Sequence, residues 1–287
     1  MFIMIDIKND TRIKIYISSY NKREVPVVKS ALLSKYEDRL VHGISTRLGG
    51  VSTEHLASMN LSFSRGDDPE KVMENHRIFS GALGYDMNNT VFSDQVHKTF
   101  IRSCTKEDTG KGLIRKTDIK ETDGLITDVR ELPLMTFYAD CVPLQFYAPD
   151  NNVIAGVHSG WKGTLHEIGR VAAEKFRDEY NCDINKLICF IGPSICKDCY
   201  EISSDVAEQF IKAHAEYEKE KIITYTGNDK YHLDLQRACR EVLLGAGLQP
   251  ENIEISGLCT CCNHEILFSH RKTNGLRGNL AAVMMLR

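Results

Sequence analysis

Short apolar runs alternate along this chain with segments whose apolar residues recur every three or four positions, the pattern of strands interleaved with helices. Strand-like runs fall at 41–46, 89–93, 133–138, 143–148, 152–158 and 186–191. Those between 133 and 158 stand too close together for parallel strands joined by helical crossovers, so part of the sheet is expected to be antiparallel hairpin. The best punctuated helix follows Asp67 and Asp68. Either can cap it, Pro69 suits its first position, Val72, His76, Phe79 and Leu83 share one face, and Gly84 can close it. A second helix is expected from about 163 to 180, with Ile168, Val171, Ala172 and Phe176 on its apolar face. A third follows Ser203 and Ser204, and a fourth runs from Asp234 through Leu244 to Gly247. The fold class read from this is α/β: one domain with a mixed, partly antiparallel sheet flanked by helices. Residues 1–38 carry mixed charge and little periodicity and read as an N-terminal extension to a body spanning 39–287. No repeat marks a further boundary, and neither GxGxxG nor GxxxxGK[ST] occurs, which removes the common dinucleotide and P-loop readings.

Composition narrows the partners. A chain of 287 residues with 42% hydrophobic content can bury a full core. With 36 basic against 39 acidic residues and a formal charge of -3 there is no electrostatic footprint for nucleic acid or an anionic membrane, which leaves a small molecule. The N-terminus shows no basic leader with a cleavage site and no run reaches membrane-spanning length, so a cytoplasmic location is expected. In such a chain the ten Cys are expected to be reduced thiols or metal ligands rather than a disulfide framework.

The chemistry concentrates where ADCVPLQFY (139–147) is followed by VIAGVHSGWKG (153–163). Cys141 and His158 sit at the polar edges of two adjacent strand-like runs, and His97 in SDQVHKTF ends another. Two His and one Cys make a three-ligand zinc set that leaves a fourth position open, as catalytic sites do. The competing reading is three buried core residues, and the spacing does not choose between them. Asp140 reads either as a carboxylate that orients a His or carries a proton, or as a turn residue at the strand end. In TRLGGVS (46–52), Arg47 beside a Gly pair is a candidate anion fork, against an ordinary turn with a solvated Arg. Asn60 and Arg65, the latter just before a helix start, are further candidate polar contacts. Cys196 and Cys199 form a CxxC, and Cys259, Cys261 and Cys262 cluster later. A structural zinc joining them competes with reduced thiols, and the tail spacing favours reduced thiols. Trp161 reads as core packing or as a pocket wall.

HGISTRLGGVS, NLSFSRGDDPEKVMENHR, QVH, TDGLIT, ADCVP, GVHSGWKGT, FIGPSIC and LCTCCNHEILFSHRKTNGLRGN occur in an order that resembles the multicopper polyphenol oxidase, or laccase-type, family, now regarded as purine nucleoside phosphorylases and adenosine deaminases. The resemblance covers about residues 39 to 287 and implies a single α/β domain similar to a bacterial toxin deamidase with a Cys and His site. It implies that His97, Cys141 and His158 bind the metal, zinc with copper as the alternative; Cys141, His158 and, on the residue reading above, Asp140 are the expected catalytic group. It places Arg47 in a substrate or phosphate pocket and implies purine nucleosides and phosphate as small-molecule partners; a monomer or small homo-oligomer is expected. Two rival chemistries stay open: a thiol hydrolase built on Cys141 and His158, and copper-dependent phenol oxidation, for which the sequence shows no multi-His cluster. The tail departs from the family pattern, with Cys261 in place of an aromatic and LFSHRK in place of FFSYRR.

Overall fold

A computed structural model describes residues 15–287. In chain order its strands are β1 (Ile15–Tyr20), β2 (Arg23–Val28), β3 (Leu40–Ser45), β4 (Val91–Phe92), β5 (Ile101–Ser103), β6 (Gly124–Thr127), β7 (Leu134–Tyr138) and β8 (Val142–Ala148). They continue as β9 (Val153–Ser159), β10 (Ile188–Ile191), β11 (Glu201–Ser203), β12 (Ile223–Gly227), β13 (Lys230–Leu233), β14 (Ile253–Ile255) and β15 (Leu280–Leu286). The helices are α1 (Pro69–Leu83), α2 (Trp161–Leu165), α3 (Ile168–Tyr180), α4 (Ser204–Ala213), α5 (Glu216–Lys219), α6 (Leu235–Gly245) and α7 (His270–Thr273).

The strands form two six-stranded sheets, ordered β1-β2-β3-β15-β7-β4 and β14-β10-β8-β9-β6-β5, with a three-stranded accessory sheet β11-β13-β12. Most neighbours are antiparallel, and β4 on β7, β5 on β6 and β14 on β10 are parallel. The period-2 alternation of side chains explains how the layers stack. In β15, Leu280, Ala282, Met284 and Leu286 face the second sheet, while Ala281, Val283 and Met285 join Ile78, Phe79 and Leu83 of α1 on the outer face. In β8 and β9, Ile154 and Tyr147 face inward between the sheets, and Leu144, Phe146, Ala155 and Val157 pack outward against Ala172 and Phe176 of α3 and Leu243 of α6. The result is one α/β domain in which helices cover both outer faces of a pair of stacked sheets. Both faces of the central strands are therefore buried, which is why they read as continuous apolar runs. Polar side chains cross the layer as well: Gln145 Nε2 donates to the Val283 carbonyl at 2.9 Å and the Tyr138 hydroxyl to the Val157 carbonyl at 3.0 Å.

The α1 helix has the predicted punctuation, with Asp68 as N-cap, Pro69 in the first turn and Gly84 in the left-handed conformation after its end. The helix expected over 163–180 is two, because Glu167 adopts φ 55° and breaks the run after α2. The boundary drawn at residue 38 does not coincide with a structural break. From Ile15 onward the segment supplies β1 and β2 of the first sheet, with Val25, Val27 and Val28 buried, while residues 1–14 lie outside the described residues. No helix among the described residues is long and apolar enough to cross a membrane.

Candidate active site

Antiparallel register brings the chemistry together. Pro143 pairs with His158 and Val142 with Ser159, so Cys141, just before β8, lies beside the end of β9 that carries His158. His158 projects between the sheets, where its ring lies 5.6 Å from that of Tyr138 on β7. His97 comes from the loop between β4 and β5, and its ring meets His158 edge-on at 4.8 Å. Cys141 Sγ is 3.8 Å from His97 Nε2, and one donor atom from each of the three residues lies within 4.8 Å of the others.

Asp123, the last residue before β6, organises this cluster. It is fully buried, and its carboxylate accepts the N–H groups of Val96, His97 and Lys98 at 3.1, 2.9 and 2.8 Å. The same carboxylate meets His158 Nδ1 at 2.8 Å, and its backbone carbonyl accepts the His158 N–H at 2.7 Å. Binding at Nδ1 fixes the tautomer and leaves Nε2 for the site, the arrangement by which a buried carboxylate supports a metal-binding imidazole. Burial opposes the charge on Asp123, but His158 and the backbone N–H groups outweigh it and hold its pKa below the usual value. The His97 backbone, at φ 62°, is kept in the sparsely populated left-handed region by these N–H bonds.

Without a metal the cluster is polarised. Burial works against a Cys141 thiolate, yet the adjoining His158 and His97 prevail and bring its pKa down to about 6. Burial likewise works against a charged His158, while Cys141 and Asp123 raise it to about 9. One thiolate and two imidazoles form a donor set suited to zinc or copper, and three protein donors leave a coordination position free. The residues present thus fit a metal of this class.

These donors open into a cavity of about 770 Å³. Phe63, Phe137, Tyr138 and Tyr200 give it aromatic walls, Arg65 and Arg277 line its cationic side, and His270 lies among the lining residues. Arg65 is anchored by Nη donation to Gly275 O at 2.9 Å. Burial and the neighbouring Arg65 pull the Arg277 pKa down to about 10, and its buried Nε has no hydrogen-bond partner. A cation so placed is a receptor for an anion. Burial followed by Arg277 lowers the His270 pKa.

The other sequence candidates divide. Arg65 and Asp140 line the cavity, whereas Arg47 does not. Its Nε donates to Ala57 O and an Nη to His264 O, both at 2.8 Å, and its guanidinium lies 4.8 Å from the Phe268 ring centre. Arg47 therefore clamps two backbone segments. Asn60 is wholly buried and tied to Asp67 and to the cavity-lining Ser62 and Asn279, so it stands behind the lining without reaching the cavity itself. The Asp140 carboxylate accepts Thr260 Oγ1 and the Arg271 N–H, both at 2.6 Å, so it holds the C-terminal segment against the Cys141 turn. The carboxylate that orients an imidazole is Asp123. Trp161 opens α2 and packs on the outer layer of the second sheet instead of walling the cavity. Asp123 lay in TDGLIT, where Asp before Gly reads as a turn, and Arg277 lay in a tail segment with no strand or helix periodicity.

Comparison with known proteins adds the relationships. A family model described as multi-copper polyphenol oxidoreductase laccase matches residues 41–287. The chain is 31% identical over 249 residues to purine nucleoside phosphorylase YlmD of Bacillus subtilis, covering 86% of this chain and 89% of that protein. It is 30% identical over 240 residues to adenosine deaminase RL5 from an unknown prokaryotic organism, covering 81% of this chain and 88% of the relative. The crystal structure of Bacillus licheniformis hypothetical protein YfiH superposes with a TM-score of 0.85 at 28% identity, covering 94% of this chain and 99% of that one. By the extent of the family match and the identity to full-length relatives, this chain belongs to the multi-copper polyphenol oxidoreductase laccase family.

Proposed function

We propose that this protein is a cytoplasmic purine nucleoside enzyme. In this reading it cleaves adenosine, inosine, guanosine and methylthioadenosine with phosphate to free base and ribose 1-phosphate, and it deaminates adenosine to inosine. The observation that carries the reading is one cavity holding both the His97, Cys141 and His158 donor set and the Arg65 and Arg277 cationic side. The names of the relatives, a purine nucleoside phosphorylase and an adenosine deaminase, support the same pair of reactions.

His97, Cys141 and His158 would hold zinc, with copper as the alternative, and the ion would supply Lewis acidity at the position these ligands leave open. Asp123 engages His158 at Nδ1, which leaves Nε2 facing the site, and holds the His97 loop in place. In phosphorolysis, Arg65 and Arg277 bind the phosphate so that one of its oxygens attacks C1′ as the bond to purine nitrogen breaks. Their charge offsets that carried by the nucleophile and held by the leaving base. The aromatic walls stack the purine and exclude water, which would otherwise compete with phosphate for C1′. In deamination, water adds at C6 and ammonia leaves. His270 is the cavity imidazole available to move the proton between them.

Asp123, His158 and Cys141 also favour a second reading, a metal-free thiol hydrolase in which the Cys141 thiolate attacks an amide. Copper-dependent phenol oxidation is weaker, since the three-donor site offers two imidazoles and the other donor group among the described residues is all sulfur. Chromatography of adenosine, inosine and methylthioadenosine incubated with protein, with and without phosphate, separates these. Phosphate-dependent free base, or inosine from adenosine, is expected. Arg65→Ala should raise the phosphate KM about tenfold or more, as loss of a charged hydrogen bond does, and spare deamination. No turnover of any nucleoside would refute the reading and favour the thiol hydrolase.

A further inference from the structure

We infer that Cys196, Cys199, Cys259 and Cys262 form a second metal site, a closed four-thiolate centre for a structural zinc ion. The tail reads at first as CxCC, but Cys259 and Cys262 are themselves a CxxC pair, matching Cys196 and Cys199. The fold brings the two pairs together from loops on neighbouring parallel strands. Cys196 and Cys199 follow β10, and Cys259 and Cys262 follow β14.

All four sulfurs lie within 4.8 Å of one another. Cys199 Sγ is 3.5 Å and Cys196 Sγ 4.0 Å from Cys262 Sγ. Zinc bonded to four sulfurs at about 2.3 Å in a tetrahedron sets them about 3.8 Å apart, so the spacing matches a metal centre and exceeds a bonded disulfide of about 2.05 Å. A second observation points the same way. The backbone N–H groups of Cys196 and Cys262 both donate to Cys259 Sγ, at 3.2 and 3.3 Å. N–H donors converging on a fully buried sulfur are a common support of metal-bound sulfur. Cys261, the neighbour that departs from the family pattern, lies outside the quartet.

The centre would brace one wall of the cavity. Ile195 and Tyr200 flank the first pair and line the cavity, and Thr260 within the second pair donates to Asp140 beside Cys141. Arg271 adds donations to the carbonyls of Cys199 and Glu201. With four protein ligands the centre has no open position, so its role is to hold loops, and binding releases the thiol protons to solvent as four zinc–sulfur bonds form, with no change of oxidation state.

The test removes the other donor set. A His97→Ala, Cys141→Ala, His158→Ala triple variant, purified under reductant from zinc-supplemented cells, should retain about one equivalent of zinc with an all-sulfur shell at about 2.3 Å by X-ray absorption. Adding Cys199→Ser and Cys262→Ser should remove that zinc, whereas adding Cys261→Ser should not. A zinc-free triple variant, a shell containing nitrogen or oxygen, or two disulfides among the four residues would overturn the inference. If the triple variant does not fold, cobalt-loaded wild-type protein decides. Thiolate-to-cobalt absorption several-fold above that of the single Cys141 thiolate is expected, and absorption at the single-thiolate level would overturn the inference.

Discussion

Asp123 receives three backbone N–H groups from the His97 loop and the Nδ1 of His158, so one carboxylate sets the positions of two candidate ligands. Asp123→Asn places an NH₂ group where one oxygen accepts, which turns a hydrogen bond into a repulsion and loosens both imidazoles. The expected outcome is about 10- to 100-fold weaker zinc binding, measured by competition with a chromogenic chelator, with the unfolding transition retained. Unchanged affinity would show that the His97 loop is held by other contacts. His97, Cys141 and His158 were legible in the sequence because soft ligands at the ends of apolar runs are uncommon, and the family pattern reinforced them. Asp123 was not, since its role depends on a contact across 35 positions that no local pattern encodes. Arg47 shows the opposite failure. A guanidinium beside glycines looks like an anion fork, but here the tertiary fold spends its donors on the Ala57 and His264 carbonyls.

At the scale of elements, the hairpin of β8 and β9 and the start of α2 fix the site. Gly160, the N-cap of α2, has an ordinary φ of -77°, so its reason for being glycine is space. A Cβ there would stand 2.7 Å from His97 Cδ2 and 3.2 Å from Cys141 Sγ. Gly160→Ala should therefore displace the ligands, lowering zinc occupancy and turnover together at least tenfold while the circular dichroism stays native, since a misplacement near 1 Å costs about 100-fold. Strands β3, β7, β8, β9 and β10 and helix α1 follow their apolar patterns and caps closely. The last strand did not, although it occupies the centre of the first sheet. Its LAAVMML is rich in Ala, Met and Leu, which favour helices, and burial on both faces overrides that propensity. Strand β2 was obscured by Pro26, which argues against a strand interior when only the sequence is read.

For the whole molecule, two wholly buried imidazoles link stability to pH. Burial lowers His42 and His76 to about 4, the first helped by Lys29. Each is neutral in the fold but charged in the unfolded chain between about 4 and 6.5, so stability is full above that window and declines as pH falls through it. The decline should reach on the order of 3 kcal/mol for each histidine by pH 4, and His76→Phe, which keeps the stacking on Phe63 and Phe92, should flatten the urea midpoint against pH. An unaltered slope would place the acid sensitivity elsewhere. The stacked sheets that bury these groups also converge His97, Cys141, His158 and the arginines on one cavity, which under the proposed function needs a metal to cleave nucleosides. The most direct measurement is base release from inosine with phosphate by chelator-stripped protein, before and after stoichiometric zinc, beside Cys141→Ala. Activity should be lost on stripping, recover with zinc in the wild type and not recover in Cys141→Ala. Undiminished phosphorolysis by the stripped protein, or by Cys141→Ala, would contradict that requirement.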